Sequence, residues 1–64
     1  MSLYDFDKAI QLTHIDTPFY SLIMAAVLRA DTQNLEKLTE AFPDIVEETK
    51  KRYHAPGGVL EDEV

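Results

Sequence analysis

Few residues of this chain have the types and spacings that a catalytic or metal-binding site requires. Ser21 lies inside a long apolar run without the G-x-S-x-G sequence of a nucleophile elbow. A serine in such a run more often bonds back to the preceding helical turn. His14 and His54 lack the H-x-x-x-H or E-x-x-H spacing of a metal site, and cysteine is absent. We interpret His14 as a connection residue and His54 as a cation at a helix end.

The two glycines, Gly57 and Gly58, follow a predicted helix end and form no phosphate-binding loop. An enzyme would also need polar groups that converge in a cleft, which four short helices rarely provide. The sequence therefore predicts no catalytic residue, no metal and no cofactor.

One local cluster, Lys50, Lys51 and Arg52, is compatible with phosphate contact. Bases at the C-terminal end of a helix are also explained by the helix dipole, and the net charge of −6 opposes a polyanion. A helix-turn-helix interpretation would turn Glu36 and Glu40 toward DNA. Nucleic-acid binding through this cluster is therefore the alternative function.

The element that organises the chain is PFYSLIMAAVL, Pro18 to Leu28, which carries no charge. Its length and its leucines, methionine and alanines predict a helix, with Thr17 as the cap and Pro18 in the first helical position. It is shorter than the roughly 20 residues that span a bilayer. Because it is apolar nearly all round, we expect other segments to bury it.

The preceding segment predicts a short amphipathic helix from Leu3 to Thr13, capped by Ser2. Leu3, Phe6 and Ile10 follow one another at helical spacing. A helix of this length is marginal by itself, so it is expected to dock through these three residues.

Two more helices are predicted after the central one. The third starts at Asp31 or Thr32. Pro43 then either breaks the chain and opens a fourth helix to about Tyr53, which is the favoured interpretation, or only kinks one long helix. Glu47 with Lys51 and Glu48 with Arg52 form i, i+4 pairs on this last helix.

The predicted fold is all-α: a small bundle of four short helices around a buried central helix. We assign residues 1–55 to a single helical domain and 56–64 to a flexible acidic tail that contains Glu61, Asp62 and Glu63. The N-terminus has no secretory pattern, so a cytoplasmic location is expected.

Sixty-four residues leave little chain to cover the central helix. Tyr20, Met24 and Leu28 lie on a different side from its main apolar face. We expect them to meet a partner chain, which predicts a symmetric homodimer completed through these residues.

Four pieces of the run from Thr17 to Gly58, about two thirds of the 64 residues, carry a resemblance. They are P-F-Y-S-L-I-M-A-A, N-L-E-K-L, A-F-P and R-Y-H-A-P-G-G. The run resembles small helical proteins encoded in bacterial prophages and mobile elements, a group without an established activity. The resemblance implies a bacterial or phage origin and an α-helical fold, and transfers no functional residue.

The leading functional hypothesis is a noncatalytic protein–protein interaction or regulatory module that binds a host or phage protein through a helix face. Its basis is the scarcity of chemical groups beside abundant apolar helix surface. An enzyme is the third hypothesis, after nucleic-acid binding.

Overall fold

The computed structural model describes residues 1–63, so Val64, the last residue of the predicted tail, lies outside the described residues. Four α-helices follow one another: α1 Leu3–Thr13, α2 Phe19–Arg29, α3 Thr32–Ala41 and α4 Pro43–His54. Two short 3₁₀ turns, Pro56–Gly58 and Glu61–Glu63, complete the described chain. The all-α prediction and its four helices are confirmed. Within residues 1–63, no helix is long and apolar enough to cross a membrane.

Two of the predicted N-caps are present. Ser2 Oγ accepts a hydrogen bond from the Asp5 amide at 3.3 Å at the start of α1. Asp31 Oδ1 accepts one from the Asn34 amide at 2.8 Å at the start of α3. Each side chain satisfies an amide that has no partner inside its helix.

The cap predicted for α2 is wrong by one residue. Pro18, with ψ of 150°, stays outside the helix as its N-cap. Its carbonyl accepts the Ser21 and Leu22 amides at 3.0 and 3.3 Å. Thr17 therefore lies one position too early for its hydroxyl to cap α2.

Pro43 breaks the helix, as the favoured interpretation predicts, and Phe42 is the residue at the break. With φ of −136° and ψ of 62°, Phe42 leaves helical geometry. Its amide donates to the Leu38 carbonyl at 2.7 Å, which closes α3, and its carbonyl accepts the Val46 amide at 3.0 Å, which opens α4. Proline needs no amide partner in the first position of a helix.

The core lies where α4 packs against α2 and α3. Val27 of α2 and Val46 and Thr49 of α4 are the buried residues of the described chain. The Thr49 hydroxyl donates to the Ile45 carbonyl at 2.7 Å, so its burial leaves that donor satisfied. Within one chain, α4 makes the most extensive contacts, with both α2 and α3, and α2 buries only Val27 among the described residues.

The first helix stands apart from this core. Every residue from 1 to 16 is exposed, including Leu3, Phe6 and Ile10. The expectation that α1 docks on the bundle is therefore not met within a single chain. The radius of gyration is 13.4 Å, whereas a compact chain of this length has about 11 Å. The molecule is accordingly elongated, 41 Å in its longest dimension.

Candidate functional site

The predicted partner surface forms a row along α2, which we call the α2 row: Tyr20, Met24 and Leu28. Residues four apart in a helix lie one above the other, so the three side chains share a face. Tyr20 is 62% and Leu28 57% exposed, and Met24 is half-buried. The row is therefore apolar surface that one chain leaves in water.

An open groove of about 560 Å³ lies at the Tyr20 end of the row. Tyr20 and Met24 form one wall, and the α3–α4 break with the first turn of α4 forms the other. Phe19 also lines this groove and contacts both walls. Its ring lies edge-on to the Tyr20 ring at 5.4 Å and to the Phe42 ring at 6.5 Å between centroids. Aromatic pairs favour this geometry. The position of the Phe42 ring is set by the break between α3 and α4, at which Phe42 lies.

A second, smaller groove of about 290 Å³ lies at the Leu28 end. Val27 and Leu28 face residues of α4 there, with Leu35 of α3 alongside. The α2 row therefore reaches a groove between α2 and α4 at each of its two ends. It also follows that α2 and α4 run in the same general direction, with their N-terminal halves at one groove and their C-terminal halves at the other.

The two grooves differ in the charge at their rims. Asp44 and Glu48 line the groove at the Tyr20 end. Lys50 and His54 line the groove at the Leu28 end. This polarity follows from the distribution of charge along α4, which has acids in its first half and bases in its second, as the helix dipole favours.

The predicted phosphate-contact cluster is largely engaged within the chain. Lys51 Nζ lies 3.1 Å from Glu47 Oε1, and Arg52 Nε donates to Glu48 Oε2 at 3.0 Å. Both i, i+4 pairs predicted from the sequence are therefore present. Lys50 is exposed and lines the Leu28-end groove.

Arg52 also joins α4 to the end of the chain. Nη1 donates to the Gly58 carbonyl at 2.9 Å, and the guanidinium forms a two-bond pair with the Glu63 carboxylate. Hydrogen bonds from Arg52, followed by the Leu60 amide, lower the pKa of Glu63 to about 2. The pKa of Arg52 is raised, mainly by its hydrogen bonds to Glu63 and secondly by its hydrogen bond to Glu48.

The chain reaches this position through a turn at Gly57 and Gly58. Their φ values of 62° and 73° lie in the left-handed region that favours glycine. The sequence predicts that the helix ends here, but no local pattern pairs Arg52 with Glu63.

The residues considered for chemistry lie apart from these grooves, except for His54. Ser21 is exposed on α2, and within residues 1–63 its hydroxyl does not make the expected bond to the preceding turn. His14 ends α1. His54 is the last residue of α4, edge-on to the Tyr53 ring at 5.4 Å between centroids. The residues of the described chain form no group of three or more side chains suited to a metal.

Neither a protein-family model, nor a curated protein, nor a solved structure matches this chain.

The geometry of the α2 row suits contact with another helix. Its side chains are apolar and aligned, it runs beside a crevice between two parallel helices, and opposite charges mark its two ends. An amphipathic helix laid into such a groove is a recurrent mode of protein recognition.

Proposed function

We propose that this chain is a noncatalytic protein–protein interaction or regulatory module that acts through the α2 row. In this proposal the row mediates formation of a symmetric homodimer, and the dimer buries α2 as the central helix of the completed fold. A host or phage protein is the proposed target.

The observation that supports this proposal is the mismatch between exposed and buried apolar side chains. Val27 and Val46 are the apolar residues that the described chain buries, whereas Tyr20, Leu28 and several others are largely exposed. Covering a large apolar side chain contributes about 1.5–3 kcal/mol. Association through the row would therefore supply stability that 64 residues do not obtain alone.

The origin and location of the module remain part of the proposal. The resemblance to small helical prophage and mobile-element proteins motivates a bacterial or phage origin, and a cytoplasmic location is proposed with it. A regulator from such an element would act by occupying a surface of another protein, which requires no chemistry of its own.

The homodimer is tested by substituting the row and measuring mass. Sedimentation equilibrium over a wide concentration range should give a dimer for the native chain and a monomer for Met24→Asp and Leu28→Asp. Ala25→Asp is the matched control, because it places the same charge in the same helix on a different, exposed side. A native chain that stays monomeric, or row variants that keep the dimer mass, would contradict self-association through this surface.

The target is tested by affinity capture from a bacterial lysate at physiological salt, with the eluate examined for protein and nucleic acid. A host protein retained by the native chain in near-stoichiometric amount, and lost with Leu28→Asp, would support a module whose target recognises the assembled dimer, and would name its pathway. Retention that is insensitive to Leu28→Asp would show that the target does not depend on the row or on the dimer.

Nucleic-acid binding through Lys50, Lys51 and Arg52 remains the alternative. The pairing of Lys51 with Glu47 and of Arg52 with two carboxylates weakens it, because a phosphate would have to compete with partners already in place. A gel shift that persists at physiological salt and disappears with Lys50→Glu would favour the alternative.

A further inference from the structure

The exposed apolar stripe of α1 has a complement elsewhere on the same chain. Leu3, Phe6 and Ile10, which we call the α1 stripe, are all exposed. Yet α1 has only 11 residues, and helices this short are marginal in water unless an apolar face is packed. The α1 stripe therefore needs another apolar surface to pack against. Residues 14–18 connect α1 to the bundle, but α1 does not pack on the bundle of its own chain.

The α1 stripe and the α2 row have matching lengths. The stripe spans seven residue steps, about 10 Å along a helix, and the row spans eight steps, about 12 Å. Each presents three large side chains in one line. One helix of the length of α1 can therefore cover the row from one end to the other.

Charge gives the pairing a direction. Asp5 and Asp7 lie in the first half of α1, and Lys50 and His54 line the groove at the Leu28 end of the row. The opposite groove is lined by Asp44 and Glu48. Opposite charges meet when the start of α1 lies at the Leu28 end, so that α1 runs antiparallel to the α2 that it covers.

We propose that α1 of one copy docks its stripe along the α2 row of a second copy, and that the second copy returns the same contact. This inference rests on the proposed self-association and names the segment that fills the site. Because each chain carries both surfaces, the exchange closes under two-fold symmetry. The stripe and the row then each occur twice in one interface, which buries on the order of 1,000 Å², enough for a specific contact.

The experiment compares two charge insertions on opposite faces of α1. Ile10 and Leu12 lie near the same end of the helix, 41% and 48% exposed, but only Ile10 belongs to the stripe. Ile10→Asp should raise the dimer dissociation constant about tenfold or more, and Leu12→Asp should leave it close to native. Circular dichroism at matched concentrations reports whether each variant keeps its helices.

Mixing variants tests whether the contact is exchanged between copies. Chains with Ile10→Asp keep an intact row, and chains with Leu28→Asp keep an intact α1 stripe. Each should dimerise only weakly alone, but the mixture should form a tighter heterodimer, because one of its two contacts then joins two native surfaces. The charge pair gives an independent check: Asp7→Lys and Lys50→Glu should each weaken the dimer, and the double variant should recover it.

The outcomes separate this inference from the proposed function. If Ile10→Asp remains dimeric while Leu28→Asp becomes monomeric, the row mediates association but α1 does not cover it, and the inference is overturned. If the native chain is monomeric at every concentration, both proposals fail. Capture of a different protein on the row with no self-association would also overturn the exchange.

Discussion

Arg52 and Glu63 face each other across eleven positions of sequence, and the guanidinium meets the carboxylate with two parallel hydrogen bonds. Nη1 donates to Oε1 at 2.8 Å and Nη2 to Oε2 at 2.6 Å. The same carboxylate accepts the Leu60 amide at 3.0 Å. One acidic side chain thereby holds the end of the described chain against the last turns of α4.

Removing this carboxylate should release the C-terminal segment and leave the helices folded. In Glu63→Ala, the Leu60 amide loses its acceptor, and we expect its hydrogen exchange to become several-fold faster. Glu61→Ala is the control, since Glu61 lies in the same 3₁₀ turn without this bond to Arg52. Equal exchange rates in the two variants would show that Glu63 does not hold the segment in solution.

Acid should release the same segment in a defined pH window. The pKa of Glu63 is lowered from its usual value near 4.5 to about 2, so the ion pair contributes its full stability above pH 4.5 and loses it as the pH falls toward 2. An NMR titration of the Glu63 carboxyl checks the value directly. In Arg52→Gln its pKa should return toward 4.5, whereas Lys50→Gln, which removes a different cation of α4, should leave it low.

The Asp31 cap should be worth a measurable part of the stability of α3. Its carboxylate accepts the Asn34 amide at 2.8 Å, and Asp31→Ala should lower the free energy of unfolding by about 1 kcal/mol. Asp31→Asn keeps an acceptor of the same size and should cost only a few tenths of that. Urea denaturation at fixed protein concentration measures both, and equal losses would argue that charge and not the cap bond is responsible.

Val46 should be the most sensitive apolar position of the described core. It is 2% exposed, and Val46→Ala removes two buried carbon groups, for an expected loss of about 1.5–3 kcal/mol in unfolding free energy. Val59→Ala makes the same change at a residue that is 47% exposed and should cost much less. Comparable losses would place the core elsewhere than at the α2–α4 contact.

The sequence predicts the helices well because their limits depend on local rules. Ser2 and Asp31 cap helices through bonds that reach three residues along the chain. Pro43 breaks the chain because proline restricts the residue before it, and Phe42 leaves helical geometry accordingly. The exception, Thr17, is also local: Pro18 takes the extended ψ of an N-cap and moves the helix start by one residue.

Packing between helices is less predictable, because a pattern shows which face is apolar but not what covers it. The Leu3–Phe6–Ile10 stripe is correctly placed on one face of a helix, yet it is exposed in the single chain. Likewise, α2 has the most apolar sequence, but α4 supplies two of the three buried residues. That difference depends on the directions of the connections, which periodicity does not encode.

In the candidate site, too, local spacing predicts some features, whereas others depend on contacts between distant residues. Spacing of four residues is enough to predict that Tyr20, Met24 and Leu28 share a face, and on that face Tyr20 and Leu28 are exposed while Met24 is half-buried. The engagement of Arg52 by Glu63 could not be predicted in this way, because it depends on a reversal at Gly57 and Gly58 that brings distant residues together.

The small core, Val27, Val46 and Thr49, also affects how the protein responds to heat. The heat capacity change of unfolding scales with the apolar surface that unfolding exposes, so it should be low for the single chain. A low value flattens the curve of stability against temperature, and the small enthalpy of unfolding of a small core broadens the melting transition. Calorimetry of Leu28→Asp, which we expect to be monomeric, should therefore show a wide, shallow endotherm, and a larger heat capacity change in the native chain would measure the additional apolar surface that the proposed association removes from water.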